Sequence, residues 1–257
     1  MHEKLAEKLH QTRLKGLETQ RLTAEVKELS LVDAYAIQAA GIQLRLRDGE
    51  KIVGMKMGLT SEAKRKQMNL DSPVYGVLTN EMQCQNGGMF SLTGTIHPKI
   101  EPEIAFLMDK EIRQAMTREE VLGNCKGIAA AMEILDSRYV GFKYFSLPDV
   151  VADNSSSSHF VLGDWCQDFK HLDLKDLTMS FRVNGEEVHQ AKSSAISGDP
   201  VLSLVQMSEL LETYHQTLPA GSIVLAGAAT AAIALAAGME VSLEISLLDR
   251  VVLTTKP

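Results

Sequence analysis

The order of hydrophobic patterns along the chain most restricts what it can fold into. Helical spacing of apolar residues is found mainly in the first fifty residues. One such stripe contains Leu5, Leu9 and Leu17, and a second contains Val32, Tyr35, Ala39, Ile42 and Leu46. Short runs typical of strands dominate after residue 85. Helices that cluster early and strands that cluster late favour an α+β fold over a doubly wound parallel sheet.

Local sequence patterns predict where individual strands, helices and a tight turn lie. The predicted strands are Lys51–Met57, Ile104–Met108, Gly127–Leu135, Phe160–Leu162, Ser222–Leu225 and Val241–Leu247. In the last of these, apolar and polar residues alternate, so one face should contact solvent. Helices are predicted from Thr60 or Ser61 to about Asn69, and from Pro200 to about His215. Asn184-Gly185 between two alternating runs predicts a β-hairpin with a type I′ turn.

Composition excludes several classes of protein. The 26 basic and 33 acidic residues give a net charge of −7, which argues against binding to nucleic acid or to an anionic membrane surface. The longest apolar stretch, Ile223–Ala237, is interrupted by Gly227 and is too short to span a bilayer. The charged N-terminus lacks the apolar stretch of a signal peptide. The three widely spaced cysteines suggest reduced thiols, so we expect a cytoplasmic protein.

Three glutamates form the strongest candidate site. Glu101 and Glu103 are two residues apart before an apolar run, so a strand would place both on one face. Glu133 interrupts the apolar segment Gly127–Leu135 and needs a partner if it is buried. Three carboxylates suit magnesium or manganese. The alternatives are a solvated strand edge for the first pair, and an ion pair of Glu133 with Arg138 or Lys56.

Two further segments have residues suited to substrate binding. Lys56 stands between apolar residues on a short strand bounded by Gly54 and Gly58, where it could act as an electrostatic clamp or simply extend to solvent. The polar run from Asp153 to Ser158 offers hydroxyls and an amide to a carboxylate ligand, or is an ordinary loop.

Taken in order, these segments resemble a known family. The motifs are Val53-Gly-Met-Lys56-Met-Gly-Leu-Thr60-Ser61, Pro73-Val-Tyr-Gly76, Ile96-His-Pro-Lys-Ile-Glu101-Pro-Glu103-Ile104, Met132-Glu133-Ile-Leu-Asp136-Ser-Arg138-Tyr139 and Val151-Ala-Asp-Asn154-Ser-Ser156. They resemble the 2-keto-4-pentenoate hydratase/4-oxalocrotonate decarboxylase family, within the fumarylacetoacetate hydrolase superfamily. The resemblance runs from about residue 30 to residue 255.

The resemblance implies a fold, a site and a substrate class. The fold is a mixed-sheet β-roll forming a catalytic domain over residues 86–257, preceded by a helical or small α+β region over residues 1–85. Magnesium or manganese is held by Glu101, Glu103 and Glu133 and is chelated by the carboxylate and 2-oxo oxygens of a 2-oxo dicarboxylic acid. Lys56 and Ser156 are the implied catalytic residues, and the implied substrate-binding residues are Leu59, Asn154, Arg138 and Thr230. The family implies a cytoplasmic homo-oligomer that can associate with a related hydratase in the meta-cleavage of aromatic compounds.

The two activities of the family differ in one requirement. A hydratase must activate water, and family hydratases are expected to have an acidic residue where this chain has Val74. Asp136-Ser137-Arg138-Tyr139 likewise matches the decarboxylases. Both features favour decarboxylation of 4-oxalocrotonate, with hydration of 2-keto-4-pentenoate as the alternative and a non-catalytic partner subunit as a weaker one. Asp199 replaces a histidine of relatives, and its effect is left open.

Overall fold

The computed structural model describes residues 1–60, 65, 72–142 and 146–257. In this part of the chain the helices are α1 (His2–Lys15), α2 (Leu22–Glu25), α3 (Leu31–Arg47), α4 (Arg118–Gly123), α5 (Leu147–Ala152) and α6 (Pro200–Thr213). The strands are β1 (Ile52–Gly58), β2 (Val74–Thr79), β3 (Gln83–Cys84), β4 (Met89–Ser91), β5 (Lys99–Met108), β6 (Cys125–Leu135), β7 (Ser157–Leu162), β8 (Thr178–Val183), β9 (Glu186–Lys192), β10 (Ile223–Leu225), β11 (Ile233–Ala234), β12 (Glu240–Ile245) and β13 (Val251–Lys256).

The described strands form two mixed sheets. The larger sheet has the order β2-β1-β10-β5-β6-β7-β3, with β11 also paired to β5. The smaller sheet has the order β4-β13-β12-β8-β9. Most neighbours are antiparallel, whereas β1–β10, β3–β7 and β4–β13 are parallel. Helices before and around mixed sheets confirm the predicted α+β class.

The long central pair β5–β6 is what positions the candidate site. Its antiparallel register places Glu101 opposite Glu133 and Glu103 opposite Ala131. The backbone ladder fixes this alignment, because a slip of one residue would turn every side chain to the other face. Most of the side chains around the pair are buried and apolar. The carboxylates are therefore carried by the two longest strands of the larger sheet, in largely apolar surroundings.

Several expected elements are confirmed. The hairpin β8–β9 turns at Asn184 (φ 50°) and Gly185 (φ 83°), as a type I′ turn requires. Helix α6 begins at Pro200 and is capped by the Asp199 side chain, which accepts from the Val201 N–H at 2.9 Å. The helix expected from Thr60 or Ser61 to Asn69 lies almost wholly outside the described residues.

Three details of the expected pattern are wrong. Ser242 on β12 is buried rather than solvated, and Leu247 is 71% exposed because the strand ends at Ile245. Likewise, Leu17 lies beyond the end of α1 and is exposed. The errors at Leu247 and Leu17 come from element ends, where a regular alternation no longer reports burial, whereas Ser242 lies within β12.

The second helical stripe faces an open groove. Val32, Tyr35, Ala39 and Ile42 on α3 line a groove of about 730 Å³ between this helix, β1 and the chain from residue 214 to residue 223. Val32 is 68% exposed, whereas Tyr35 and Ile42 of the same stripe are buried, as are Ala34, Ile37 and Gln38 on the adjoining side of α3. Within the described residues, no helix combines the length and apolar character needed to cross a bilayer.

Candidate metal centre

The three glutamates singled out in the sequence come together in the structure. Each offers a carboxylate oxygen, and these oxygens all lie within 4.8 Å of one another. Glu103 and Glu133 are completely buried, and Glu101 is partly buried. The grouping follows from the sheet, because Glu101 and Glu103 share a face of β5 and Glu133 lies opposite Glu101 on β6.

Lys56 is the cation beside this cluster. Its Nζ lies 3.0 Å from Glu133 Oε2, and the residue is only 3% exposed, so it does not extend to solvent. Burial would lower the pKa of Lys56, but the charges of Glu133, Glu103 and Glu101 outweigh it and raise this pKa above its usual value. Of the two ion pairs considered for Glu133, the one with Lys56 is therefore present.

The cluster fits a divalent cation. Among the described residues, Glu103 Oε1 and Glu133 Oε1 are buried without a hydrogen-bond partner. Burial and the neighbouring charge of Glu133 raise the pKa of Glu103 well above its usual range. A single ammonium beside three carboxylates leaves excess negative charge and unused oxygen ligands. Hard cations such as magnesium and manganese take oxygen ligands of this kind.

Glu103 is oriented from the loop after β10. Its Oε2 accepts a hydrogen bond of 2.7 Å from the Gly227 N–H. Gly227 has a φ of +104°, and a Cβ there would lie 2.5 Å from Thr60 Oγ1. Only glycine fits both the backbone conformation and the contact with Thr60. This glycine thus links the glutamate to the segment that follows Lys56.

A cavity of about 110 Å³ opens beside Lys56 and Glu101. Leu59, with a φ of +57°, and Thr60 form part of its wall. The other described lining residues are Met57, Gly58, Val74, Leu135, Val150, Ser155 and Ala228. Sequence reasoning missed the apolar Val150 as part of this wall. Small and apolar residues carry no chemical signature, so only the three-dimensional structure identifies them.

A left-handed turn from Asn154 to Ser156 borders the same cavity. The φ angles of Asn154, Ser155 and Ser156 are +50°, +52° and +59°. Ser155 lines the cavity, and its hydroxyl donates to Tyr75 O at 3.0 Å. Ser156 is buried, and its hydroxyl has no partner among the described residues. The turn thus reaches the cavity wall through Ser155.

Comparison with known proteins agrees with this geometry. Residues 52–254 match the family model described as fumarylacetoacetate (FAA) hydrolase C-terminal. The chain belongs to the fumarylacetoacetate hydrolase family. This result confirms the resemblance inferred from the motifs and the type of β-roll fold expected from it.

Several relatives in this family have named activities. The chain is 40% identical over 252 residues to a 4-oxalocrotonate decarboxylase of Pseudomonas sp, covering 98% of this chain and 97% of the relative. It is 34% identical over 220 residues to a 2-hydroxyhexa-2,4-dienoate hydratase of Comamonas testosteroni, covering 84% of this chain and 83% of the relative.

A solved structure of the family superimposes closely. The 4-oxalocrotonate decarboxylase of Pseudomonas putida G7, complexed with magnesium and adipate, has a TM-score of 0.95 and 31% identity, covering 99% of this chain and 97% of that one. A second structure of that enzyme contains calcium and acetate. Divalent metals and small carboxylates are thus bound by a protein of almost the same fold.

The family resemblance implies substrate binding by three other residues, whose side chains make contacts within the protein in this structure. The Arg138 guanidinium is buried in an ion pair with Asp153, and its Nη1 donates to Asp136 O at 2.7 Å. Both polar atoms of the Asn154 side chain pair with the backbone of Val77. The Thr230 hydroxyl donates to the neighbouring Ala231 O at 3.4 Å, and Thr230 is not among the described residues of the cavity wall.

Asp199, where the family resemblance leads us to expect a histidine, has structural partners. Besides capping α6, its carboxylate lies 2.7 Å from Arg118 Nε. The nearby Ser197 hydroxyl donates to Thr60 O at 3.2 Å. The segment that contains Asp199 therefore reaches the cavity wall through Ser197.

Proposed function

We propose that the protein decarboxylates 4-oxalocrotonate (2-oxo-3-hexenedioate) to 2-hydroxypenta-2,4-dienoate in a metal-dependent reaction of aromatic catabolism. The proposal makes it a carboxy-lyase. It is supported by the nearly full-length similarity to 4-oxalocrotonate decarboxylases and by the glutamate cluster with Lys56.

Glu101, Glu103 and Glu133 are the residues that would hold magnesium or manganese. Their grouping within 4.8 Å and the two unpartnered buried oxygens support this assignment. When bound, the metal would serve as a Lewis acid that polarises the 2-oxo group of the substrate. The Gly227 N–H would keep Glu103 oriented in both the metal-free and the loaded protein.

Lys56 is suited to stabilise the charge that develops during the reaction. The bond from C5 to the distal carboxylate breaks, carbon dioxide leaves, and the electron pair moves through the conjugated chain to the 2-oxo oxygen. One proton taken up completes the hydroxydienoate. The raised pKa of Lys56 keeps its ammonium charged, and its burial strengthens its attraction for a nearby oxyanion.

The observation that carries the choice of reaction is Val74. This residue is fully buried in the cavity wall, at the position where a family hydratase is expected to have an acidic residue. Together with Leu135 and Val150, it makes that side of the cavity apolar. An apolar wall favours loss of a localised carboxylate charge, whereas hydration needs a group that activates water.

The remaining contacts are also part of the proposal. Leu59 through its backbone and Ser156 through its hydroxyl would contact the 2-oxo diacid. The positive φ of Leu59 and the unpartnered Ser156 hydroxyl support these roles. Arg138, Asn154 and Thr230 are retained as candidate substrate-binding residues. The partners of Asn154 and Arg138 suggest that these two act less directly.

The deciding experiment compares two substrates. Purified protein loaded with magnesium should release carbon dioxide from 2-oxo-3-hexenedioate and should add water to 2-hydroxypentadienoate slowly. Rapid hydration without release of carbon dioxide would instead establish the hydratase, which the relative from Comamonas testosteroni makes the second candidate. Val74→Glu, with Val74→Gln as its uncharged match, tests whether the apolar wall is required for decarboxylation.

We also propose a cytoplasmic homo-oligomer that can associate with a related hydratase. The α3 groove supports an assembly, because Val32 and Ile52 at the groove are large apolar residues left exposed. Light scattering of the protein alone and mixed with a hydratase tests this. If the Glu133→Gln variant assembles normally and the activity of the complex with the hydratase is unchanged, the chain is a non-catalytic partner subunit.

A further inference from the structure

The turn from Asn154 to Ser156 is unusual in its backbone. Three successive residues other than glycine adopt left-handed φ angles of +50°, +52° and +59°. Such angles are unfavourable for L-residues and occur singly much more often than in series. They persist only where the surroundings over-determine them, and they cluster at functional sites. The contacts of this turn therefore indicate its functional role.

Asn154 joins the turn to the edge strand β2. Its Oδ1 accepts from the Val77 N–H at 2.8 Å, and its Nδ2 donates to Val77 O at 2.9 Å. The side chain thus pairs with the edge of β2 as a neighbouring strand would. A Cβ on Gly76 would lie 2.8 Å from Asn154 O, so the close approach also depends on that glycine.

The far end of the turn is fixed as well. Ser156 O accepts from the Asp136 N–H at 2.8 Å, and the Ser156 N–H donates to Asp153 O at 2.9 Å. The Ser156 hydroxyl differs from these groups, since it is buried without a partner among the described residues. A buried hydroxyl without a partner is costly unless a ligand completes it.

We infer that Asn154 is a positioning residue that acts through Ser156. Its pairing with Val77 holds the left-handed turn against β2 and thereby fixes where the Ser156 hydroxyl meets the substrate. Both polar atoms of its amide are used in this pairing, which leaves the substrate to Ser156. The inference rests on the proposed role of Ser156 and replaces direct substrate contact by Asn154.

A double-mutant cycle tests the inference. Asn154→Ala and Ser156→Ala should each lower kcat/KM by about 10- to 100-fold, since small displacements of a reacting group have effects of this size. If Asn154 acts through the hydroxyl, the double variant should be within about threefold of Ser156→Ala. Multiplying effects would indicate direct contact and overturn the inference. The inference would also be overturned if Asn154→Ala lowered thermal stability but left kcat/KM unchanged. The same holds if Ser156→Ala kept the kcat/KM of the wild type.

Two further variants keep the test interpretable. Asn154→Gly removes the amide but also relieves the positive φ, so it should fold where the alanine variant does not, with the same loss of kcat/KM. Asn184→Ala is the matched control. Asn184 lies in the remote β8–β9 hairpin, has a φ of 50°, and accepts a hydrogen bond from the Glu240 N–H through its Oδ1. The kcat/KM of this variant should equal that of the wild type.

A binding measurement distinguishes failure of this inference from failure of the proposed function. If the wild-type protein releases no carbon dioxide, the proposed function fails, and the same cycle is then read by calorimetry with adipate and magnesium. Non-additive losses of adipate affinity would still support positioning by Asn154. Additive losses, or none, would overturn it whatever reaction the protein catalyses.

Discussion

Lys56 Nζ lies 3.0 Å from Glu133 Oε2, and both groups are almost completely removed from solvent. The lysine comes from β1 and the glutamate from β6, two strands separated in the sheet by β10 and β5. The ion pair thus gathers residues that are 77 positions apart in the chain. A divalent cation held by the glutamates would therefore share the Glu133 carboxylate with an ammonium, and the two positive charges would repel each other.

Replacing Lys56 should separate metal binding from catalysis. Lys56→Met removes the competing charge, so Mn²⁺ measured by calorimetry should bind at least as tightly as to the wild type. Its kcat should fall by roughly 100-fold or more, the order expected when one stabilising donor is lost from a buried site. Lys56→Arg is the control that keeps the charge. Weaker Mn²⁺ binding to Lys56→Met would contradict competition between the cations.

Replacing Glu133 should have the opposite effect on metal binding. Glu133→Gln removes a charged ligand and leaves Lys56 without its nearest carboxylate, so Mn²⁺ affinity and turnover should both fall by about 100-fold or more. Glu186→Gln, on the exposed end of the β9 hairpin, is the matched control and should change neither. Full activity of Glu133→Gln would refute the metal centre.

Gly227 should be sensitive to even one added carbon. Gly227→Ala places a Cβ 2.5 Å from Thr60 Oγ1 at a φ of +104° and disturbs the N–H that orients Glu103. We expect a loss of about 1–3 kcal/mol in the free energy of unfolding by urea, together with weaker Mn²⁺ binding.

Gly238 provides the comparison for that variant. It has a φ of +80°, and no heavy atom of the described residues lies within 4 Å of the place its Cβ would occupy. Gly238→Ala should therefore show the backbone cost alone, with Mn²⁺ affinity unchanged. Equal effects of the two substitutions on Mn²⁺ binding would mean that the contact with Thr60 does not position Glu103.

His159 should make stability depend on pH in the acidic range. Burial, reinforced by Arg45 and Arg13, lowers its pKa to about 4. Between that value and 6.5 the unfolded chain binds the proton more readily, so stability is full above pH 6.5 and falls as the pH drops towards 4. The free energy of unfolding lost through His159 between pH 6.5 and pH 4 is about 3 kcal/mol, at about 1.4 kcal/mol per pH unit.

Denaturation of His159→Gln across this range measures that contribution. The stability difference between the wild type and this variant should shrink as the pH falls from 6.5 to 4. The exposed His171 gives the control, and His171→Gln should follow the wild type at every pH. A constant difference between wild type and His159→Gln would show that His159 does not carry this pH dependence.

Much of the fold was predictable because its signals are local. The hairpin at Asn184-Gly185 and the start of α6 at Pro200 follow from turn and capping chemistry within a few residues. Failures occur where a pattern continues past an element, as at Leu247, or where the apolar side of a helix meets a groove, as at Val32. Neither case can be recognised from spacing alone.

The candidate site was predictable to a different extent for each residue. Charged groups in apolar strands stand out, so Glu101, Glu103 and Glu133 were predicted as one cluster, and the structure brings them together. The sequence left the partner of Glu133 open between Lys56 and Arg138, and the structure pairs Arg138 with Asp153 instead. The amide of Asn154 suggested substrate binding, whereas its position beside Val77 gives it a backbone partner.

The sequence by itself determined the kinds of groups at the site and the strands that carry them, because burial of charge and strand periodicity are properties of short segments. Only the tertiary structure decided which groups meet. The register of β5 with β6, the approach of Lys56 from β1, and the left-handed turn held by Val77 depend on contacts between segments far apart in the chain. Such contacts form through packing of the whole sheet, which no local pattern encodes.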